Sequence, residues 1–270
     1  MECYNPLKSQ EEFILHLLDQ LERPIIFAHR GASVSAPENT MSAFELAARL
    51  GAKAIELDTM LCSDGIPVVI HDHTLERTTN GHGQVRDHNY SVLSYLDAGS
   101  WFSDAYKGEK IPALHQVLKS FSDRILINIE LKNYHAPHDN LPETVMQLID
   151  EFNLWESVLF SSFLPRNLRS IRKRKPFAKV ALLCPTGFEG WVFRSPIYKN
   201  LSPAIIHPAI DDVDREYIQR EHCNGRRVHV WTVNDKVKAK ELFLIYVDGI
   251  FTDDPASMLE VLRQNQPPVN

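Results

Sequence analysis

From Pro24 onward, short runs of aliphatic and β-branched residues alternate with stretches in which apolar positions recur every three or four residues. The β-rich runs are "IIFAH", "KAIELD", "PVVIHD", "ILINIELK", "SVLFSSF", "KVALLC", "AIIHP", "VHVWTV" and "GIFTD". Strands separated by amphipathic helices predict a parallel sheet with helical crossovers, and about eight such units close into a barrel. The expected fold class is therefore α/β, a TIM (β/α)8 barrel. Nine runs is one too many, and "AIIHP" is the weakest of them. Ahead of the barrel, "SQEEFILHLLDQL" carries Phe13, Ile14, Leu17, Leu18 and Leu21 on one helical face. Ser9 and Glu12 stand in capping-box spacing. Residues 1–24 thus read as a leading helix packed on the body, 25–262 as the barrel and 263–270 as a tail.

One interval breaks the rhythm. Residues 73–111, between the third strand and the following helix, begin "HTLERTTNGHGQVRDHNY". They far exceed the ~2–6 residues usual for a connection in such folds. They predict a small folded insertion over one end of the barrel, with Tyr90, Leu93, Tyr95, Leu96, Trp101 and Phe102 as its apolar content.

Composition narrows the function. With 270 residues, 44% hydrophobic and 24% charged, the chain can bury one large core, and a single domain is expected. Its net charge is −6, and the one basic run, "RSIRKRK" at 169–175, sits inside a helical pattern. Nucleic acid is therefore not an expected partner. Cys3, Cys62, Cys184 and Cys223 have neither metal-ligand nor disulfide-framework spacing and read as reduced thiols. The N-terminal residues lack the pattern of a signal peptide, and no apolar run reaches the ~20 residues of a membrane span. The expected location is the cytoplasm; nothing in the pattern reports an oligomeric state.

Strand ends carry polar residues that core packing does not require: His29 and Arg30, Glu56 and Asp58, His71 and Asp72, Glu130 and Lys132, and Trp231. In a barrel these converge on one mouth. Residues two apart on a strand share a face, so Glu56 with Asp58, and Glu130 with Lys132, point the same way. Three carboxylates at one mouth repel unless cations intervene. One reading is a structural ion network with Arg30 and Lys132. The other is a bound hard cation, Mg²⁺ or Ca²⁺, suited to oxygen ligands. Two histidines beside such a site favour the second reading, since acid–base chemistry needs one group to accept a proton and another to donate one. Arg30 and Lys132 suggest an anionic ligand, and Trp231 an apolar wall beside it.

The segment "HRGASVSAPENTMSAFELAARLGAKAIELDTMLCSDGIPVVIHDHTLERTTNGHG", followed in order by "LDAGSWF", "IELK", "SSF", "VWTVN" and "FTDDP", resembles the glycerophosphodiester phosphodiesterase family over residues 25–260. The resemblance implies a phosphatidylinositol-phospholipase-C-like TIM barrel. It implies metal ligands at Glu56, Asp58 and Glu130, catalytic histidines at His29 and His71, with His71 as base and His29 as acid, and phosphate contacts at Arg30 and Lys132. Glu38 and Asn39 would support the mouth. The activity implied is metal-dependent hydrolysis of small glycerophosphodiesters such as glycerophosphocholine or glycerophosphoethanolamine to glycerol 3-phosphate and an alcohol. A lysophospholipase-D-like activity and a non-catalytic phosphate-binding barrel are the alternatives. His115 and Gln116 stand where the family often has Thr and Glu, a departure that touches a helix rather than the mouth.

Overall fold

The computed structural model describes residues 15–121, 124–202 and 204–265. The strands are β1 (Ile25–Ala28), β2 (Ala54–Leu61), β3 (Pro67–Val69), β4 (Leu126–Leu131), β5 (Val158–Ser162), β6 (Lys179–Cys184), β7 (Ile205–Pro208), β8 (Arg227–Val230) and β9 (Gly249–Thr252). All except β3 pair in parallel, in the order β1-β2-β4-β5-β6-β7-β8-β9, and β9 closes back on β1. The result is an eight-stranded TIM barrel with one extra strand. The helices are α1 (Leu17–Gln20), α2 (Met41–Arg49), α3 (Tyr90–Leu93), α4 (Leu114–Phe121), α5 (Leu141–Phe152), α6 (Pro165–Arg174), α7 (Gly187–Phe193), α8 (Arg215–Cys223), α9 (Lys236–Leu244) and α10 (Pro255–Asn265). Among the described residues no helix is long and apolar enough to cross a membrane.

The surplus strand is not the expected one. "AIIHP" forms β7, a full barrel member, whereas "PVVIHD" supplies β3, which runs antiparallel to β2. Only residues 62–66 separate the two, too few for the crossover that parallel neighbours require, so the chain turns back as a hairpin. Gly65 takes the turn at φ +77° and donates its N–H to Cys62 O.

Core formation follows the strand faces. Residues facing outward, such as Ile55, Leu57, Ile127 and Ile129, join the surrounding helices in the main apolar cluster. Inward residues Ile25, Phe27, Ala54, Leu126, Leu159, Ala181, Ile205 and Phe251 form a second cluster, which Leu18 of α1 completes. His16 caps α1, accepting from Leu18 N–H, and Asp19 pairs with Lys179 and Arg227. This short helix therefore closes one end of the barrel. Ser9, Glu12, Phe13 and Ile14 lie outside the described residues, and α10 remains helical through Asn265. Between β3 and α4, Leu75, Val85, Leu93, Ala98 and Ile111 pack with Val68 and Ile70 into a separate small core. Tyr95 and Trp101 stay 81% and 41% exposed.

Two histidines inside the barrel have a consequence for stability. His207 Nε2 and His229 Nδ1 lie 3.1 Å apart, with Phe27 and Phe251 packed on the pair. Burial holds His229 down to about 3 and His207 well below the usual imidazole value. Once unfolded, both take up protons near ~6.5, so below that pH the unfolded chain binds more protons and stability falls. The loss is up to ~1.4 kcal/mol per pH unit for each imidazole. His229→Gln is therefore expected to flatten the dependence of unfolding free energy on pH between about 6.5 and 4.5 by close to one proton. Equal slopes in denaturant titrations of the two proteins would contradict this.

Candidate active site

At the end of β1 the chain must turn sharply to lead into α2. Arg30 adopts φ +57° and Gly31 φ +87°. A Cβ at Gly31 would fall 2.6 Å from the backbone and Cβ of Ala43, so only glycine lets the turn sit against α2. This geometry directs the Arg30 N–H to Glu56 Oε2 at 3.0 Å and its Nη1 to Glu38 Oε1 at 2.9 Å. The Arg30 Nε stands 3.2 Å from Asp58 Oδ2. Asn39 donates Nδ2–H to the same Asp58 oxygen at 2.8 Å, and its Oδ1 accepts the Asp58 N–H. Glu38 also receives two hydrogen bonds from Arg77 of the insertion. The "ENT" segment thus braces the arginine with Glu38 and an acidic ligand candidate with Asn39.

Glu56, Asp58 and Glu130 are buried, and each offers an oxygen within 4.8 Å of the others. Their register explains this: β2 and β4 pair with Asp58 opposite Glu130 and Glu56 opposite Asn128. Lys132 Nζ lies 3.6 Å from Asp58 Oδ1 and 3.5 Å from Glu130 Oε1, which also accepts the Tyr134 hydroxyl at 2.6 Å. Burial, reinforced by Asp58 and Glu130, pushes the Glu56 carboxyl well above the usual range. Against the pull of burial, Lys132 and Arg30 hold Asp58 below it. The side chains of Lys132 and Arg30 both stand against Asp58, whereas Glu56 receives the Arg30 N–H on Oε2 alone and its buried Oε1 has no hydrogen-bond partner among the described residues. An all-oxygen donor set with one carboxylate left short of positive charge fits a hard divalent cation.

Both histidines line the same cavity. His29 Nδ1 meets Asp253 Oδ1 at 2.6 Å, and Asp253 is itself held by Ser33 and Asn234. Despite burial, the hydrogen bond from His29 brings Asp253 to about 2. His71 Nδ1 meets Asp72 Oδ1 at 2.6 Å, and Arg77 holds Asp72 in turn. A carboxylate on Nδ1 fixes each ring and leaves Nε2 for chemistry. The Nε2 of His29 stands 3.9 Å from Glu56 Oε2. Trp231, edge-on to Phe163 at 5.4 Å between ring centroids and donating Nε1–H to His207 O, forms an apolar side of the cavity.

All nine strand-end residues singled out in the sequence gather here, with Glu38 and Asn39 behind them. Asp253, Arg77 and Tyr134 complete the arrangement and were not among them. "FTDDP" places Asp253 at a strand end, the same signal that marked the others, whereas Arg77 lies in the insertion with no local pattern to mark it. Gln116, at the departure from the family pattern, accepts from Tyr90 OH and Ala113 N–H in the helix setting, away from the mouth.

The family model described as the glycerophosphoryl diester phosphodiesterase family matches residues 29–257. The chain belongs to this family. It is accordingly an enzyme of the phosphoric diester hydrolase class. Among its relatives, a glycerophosphodiester phosphodiesterase of Caldanaerobacter subterraneus subsp. tengcongensis is 37% identical over 246 residues, covering 90% of this chain and 99% of its own. A glycerophosphodiester phosphodiesterase of Bacillus altitudinis is 38% identical over 245 residues, covering 88% and 98%. Among solved structures, an Oleispira antarctica phosphodiesterase in complex with the product sn-glycerol-3-phosphate gives a TM-score of 0.82 at 31% identity, covering 89% of this chain and 97% of that one.

Proposed function

We propose that the chain hydrolyses small glycerophosphodiesters, such as glycerophosphocholine or glycerophosphoethanolamine, to glycerol 3-phosphate and an alcohol, with one divalent cation, Mg²⁺ or Ca²⁺. The observation that carries this is the meeting, at one cavity of about 190 Å³, of two carboxylate-backed histidines, two cations and an acidic triad whose Glu56 and Glu130 line the wall with Asp58 behind them. The sn-glycerol-3-phosphate bound by the Oleispira antarctica enzyme supports the choice of product.

Glu56, Asp58 and Glu130 would hold the cation, which when bound supplies Lewis-acid polarisation of the phosphate. Arg30 and Lys132 neutralise the anionic diester beside the triad. His71, oriented by Asp72, takes the proton of the attacking hydroxyl or water. His29, oriented by Asp253, gives a proton to the leaving alcohol. The same residues permit attack by water or by the glycerol 2-hydroxyl.

A cavity of about 190 Å³ is below the ~300–1,000 Å³ of sites that enclose larger ligands. Its apolar side consists of a few residues, among them Phe163, Leu183, Trp231 and Phe251. Small diesters are therefore expected to give higher kcat/KM than lysophospholipids. Initial rates on glycerophosphocholine, glycerophosphoethanolamine and a lysophosphatidylcholine below its micellar concentration test this. A higher kcat/KM for the lysophospholipid would overturn the preference and favour a lysophospholipase-D-like role.

A further inference from the structure

Beside the triad, the cavity is lined by one polar pair that the chemistry above does not use. Asn128 and Ser161 are fully buried residues of β4 and β5, and both line the cavity. Asn128 Nδ2 donates to Ser161 Oγ at 2.9 Å, while Asn128 Oδ1 has no partner among the described residues. Whichever way the carboxamide is turned, one end of it bonds Ser161 and the other remains unpaired. Buried polar atoms are costly to leave so, and an orphan lining a ligand cavity marks a place where the ligand supplies the missing bond.

Depth identifies which part of the ligand. Asn128 stands two residues before Glu130 on the same strand face, ~6.7 Å back along the strand from it, and pairs in register with Glu56 of β2. Lys132, which would meet the phosphate, stands four residues further on along the same face towards the mouth, so the ligand atom that reaches Asn128 is one remote from phosphorus. Phe163, Leu183 and Phe251 offer that atom only apolar surface. A hydroxyl, donor and acceptor at once, matches both the carboxamide end and the Ser161 hydroxyl. We propose that Asn128, seated on Ser161, reads the terminal hydroxyl of the glycerol moiety and makes the site selective for an underivatised glycerol end. This assignment rests on the glycerophosphodiesterase reading of the site.

The test compares glycerophosphocholine with its analogue in which the terminal CH₂OH is CH₃, in parallel with calorimetric binding of glycerol 3-phosphate and the matching deoxy phosphate. A site that pairs a buried polar group with a substrate hydroxyl rejects the analogue lacking it, so the parent chain is expected to favour glycerophosphocholine by at least ~100-fold in kcat/KM. Asn128→Ala should lower kcat/KM for glycerophosphocholine by about 10–100-fold and leave the deoxy analogue within about threefold, with glycerol 3-phosphate affinity falling in step. If Asn128→Ala loses its cooperative unfolding transition, Ser161→Ala, a smaller change, carries the comparison and should also narrow the ratio. Equal losses on both substrates, or a parent chain indifferent to the terminal hydroxyl while still cleaving glycerophosphocholine, would overturn the assignment and leave the proposed function standing. A parent chain that neither cleaves glycerophosphodiesters nor binds glycerol 3-phosphate would overturn both.

Discussion

His71→Ala and His29→Ala are each expected to lower kcat on glycerophosphocholine by about 10²–10⁴-fold, the usual worth of a positioned acid or base. The geometry separates this loss from a folding defect. Both side chains are partly exposed, 29% for His71 and 18% for His29, and neither belongs to an apolar core cluster. Their removal leaves Asp72 still paired with Arg77, and Asp253 with Ser33 and Asn234. Thermal midpoints should therefore change far less than rates. Steady-state kinetics at saturating cation, alongside thermal unfolding, check this. Either variant turning over at close to the parental rate would remove that histidine from the mechanism.

Glu56→Gln is expected to have opposite effects on stability and activity. In the metal-free chain its carboxyl is buried, sits against Asp58 and Glu130, and keeps one oxygen unpaired, so its ionised form is disfavoured. Neutralising it should raise the thermal midpoint of the chelated protein at neutral pH. The same change removes one of the three carboxylates proposed to hold the cation, and activity should fall by more than ~100-fold, beyond the cost of altering an outer partner. Added Mg²⁺ or Ca²⁺ should stabilise the parent chain by mass action and the variant less. A cation-induced shift as large in Glu56→Gln as in the parent would show that the cation binds elsewhere.

The barrel and most of its mouth were legible in the sequence because each rests on local pattern. Alternating strand and helix runs give a parallel sheet, and polar residues just past an apolar run fall at its C-terminal rim. What escaped depends on contacts distant along the chain. Asp253 reaches His29 across the β9–β1 seam, and Arg77 joins Asp72 to Glu38 from within the insertion. Strand direction was misread for a different reason. An apolar run such as "PVVI" carries no direction of its own, and the Asp64-Gly65 pair before it, a hairpin signal, is what reverses the chain. His207 and His229 lie on strands as buried polar residues that no periodicity distinguishes from apolar ones.

Release of glycerol 3-phosphate from glycerophosphocholine, followed in the protein as purified, after chelation and after titrating Mg²⁺ or Ca²⁺ back, bears most directly on the joint role of the triad, the histidines and the two cations. The predicted result is loss of turnover on chelation and recovery with either or both of these cations, absent in Glu130→Gln at cation concentrations that restore the parent chain. Undiminished release of glycerol 3-phosphate by protein shown by elemental analysis to be free of divalent metal would contradict it.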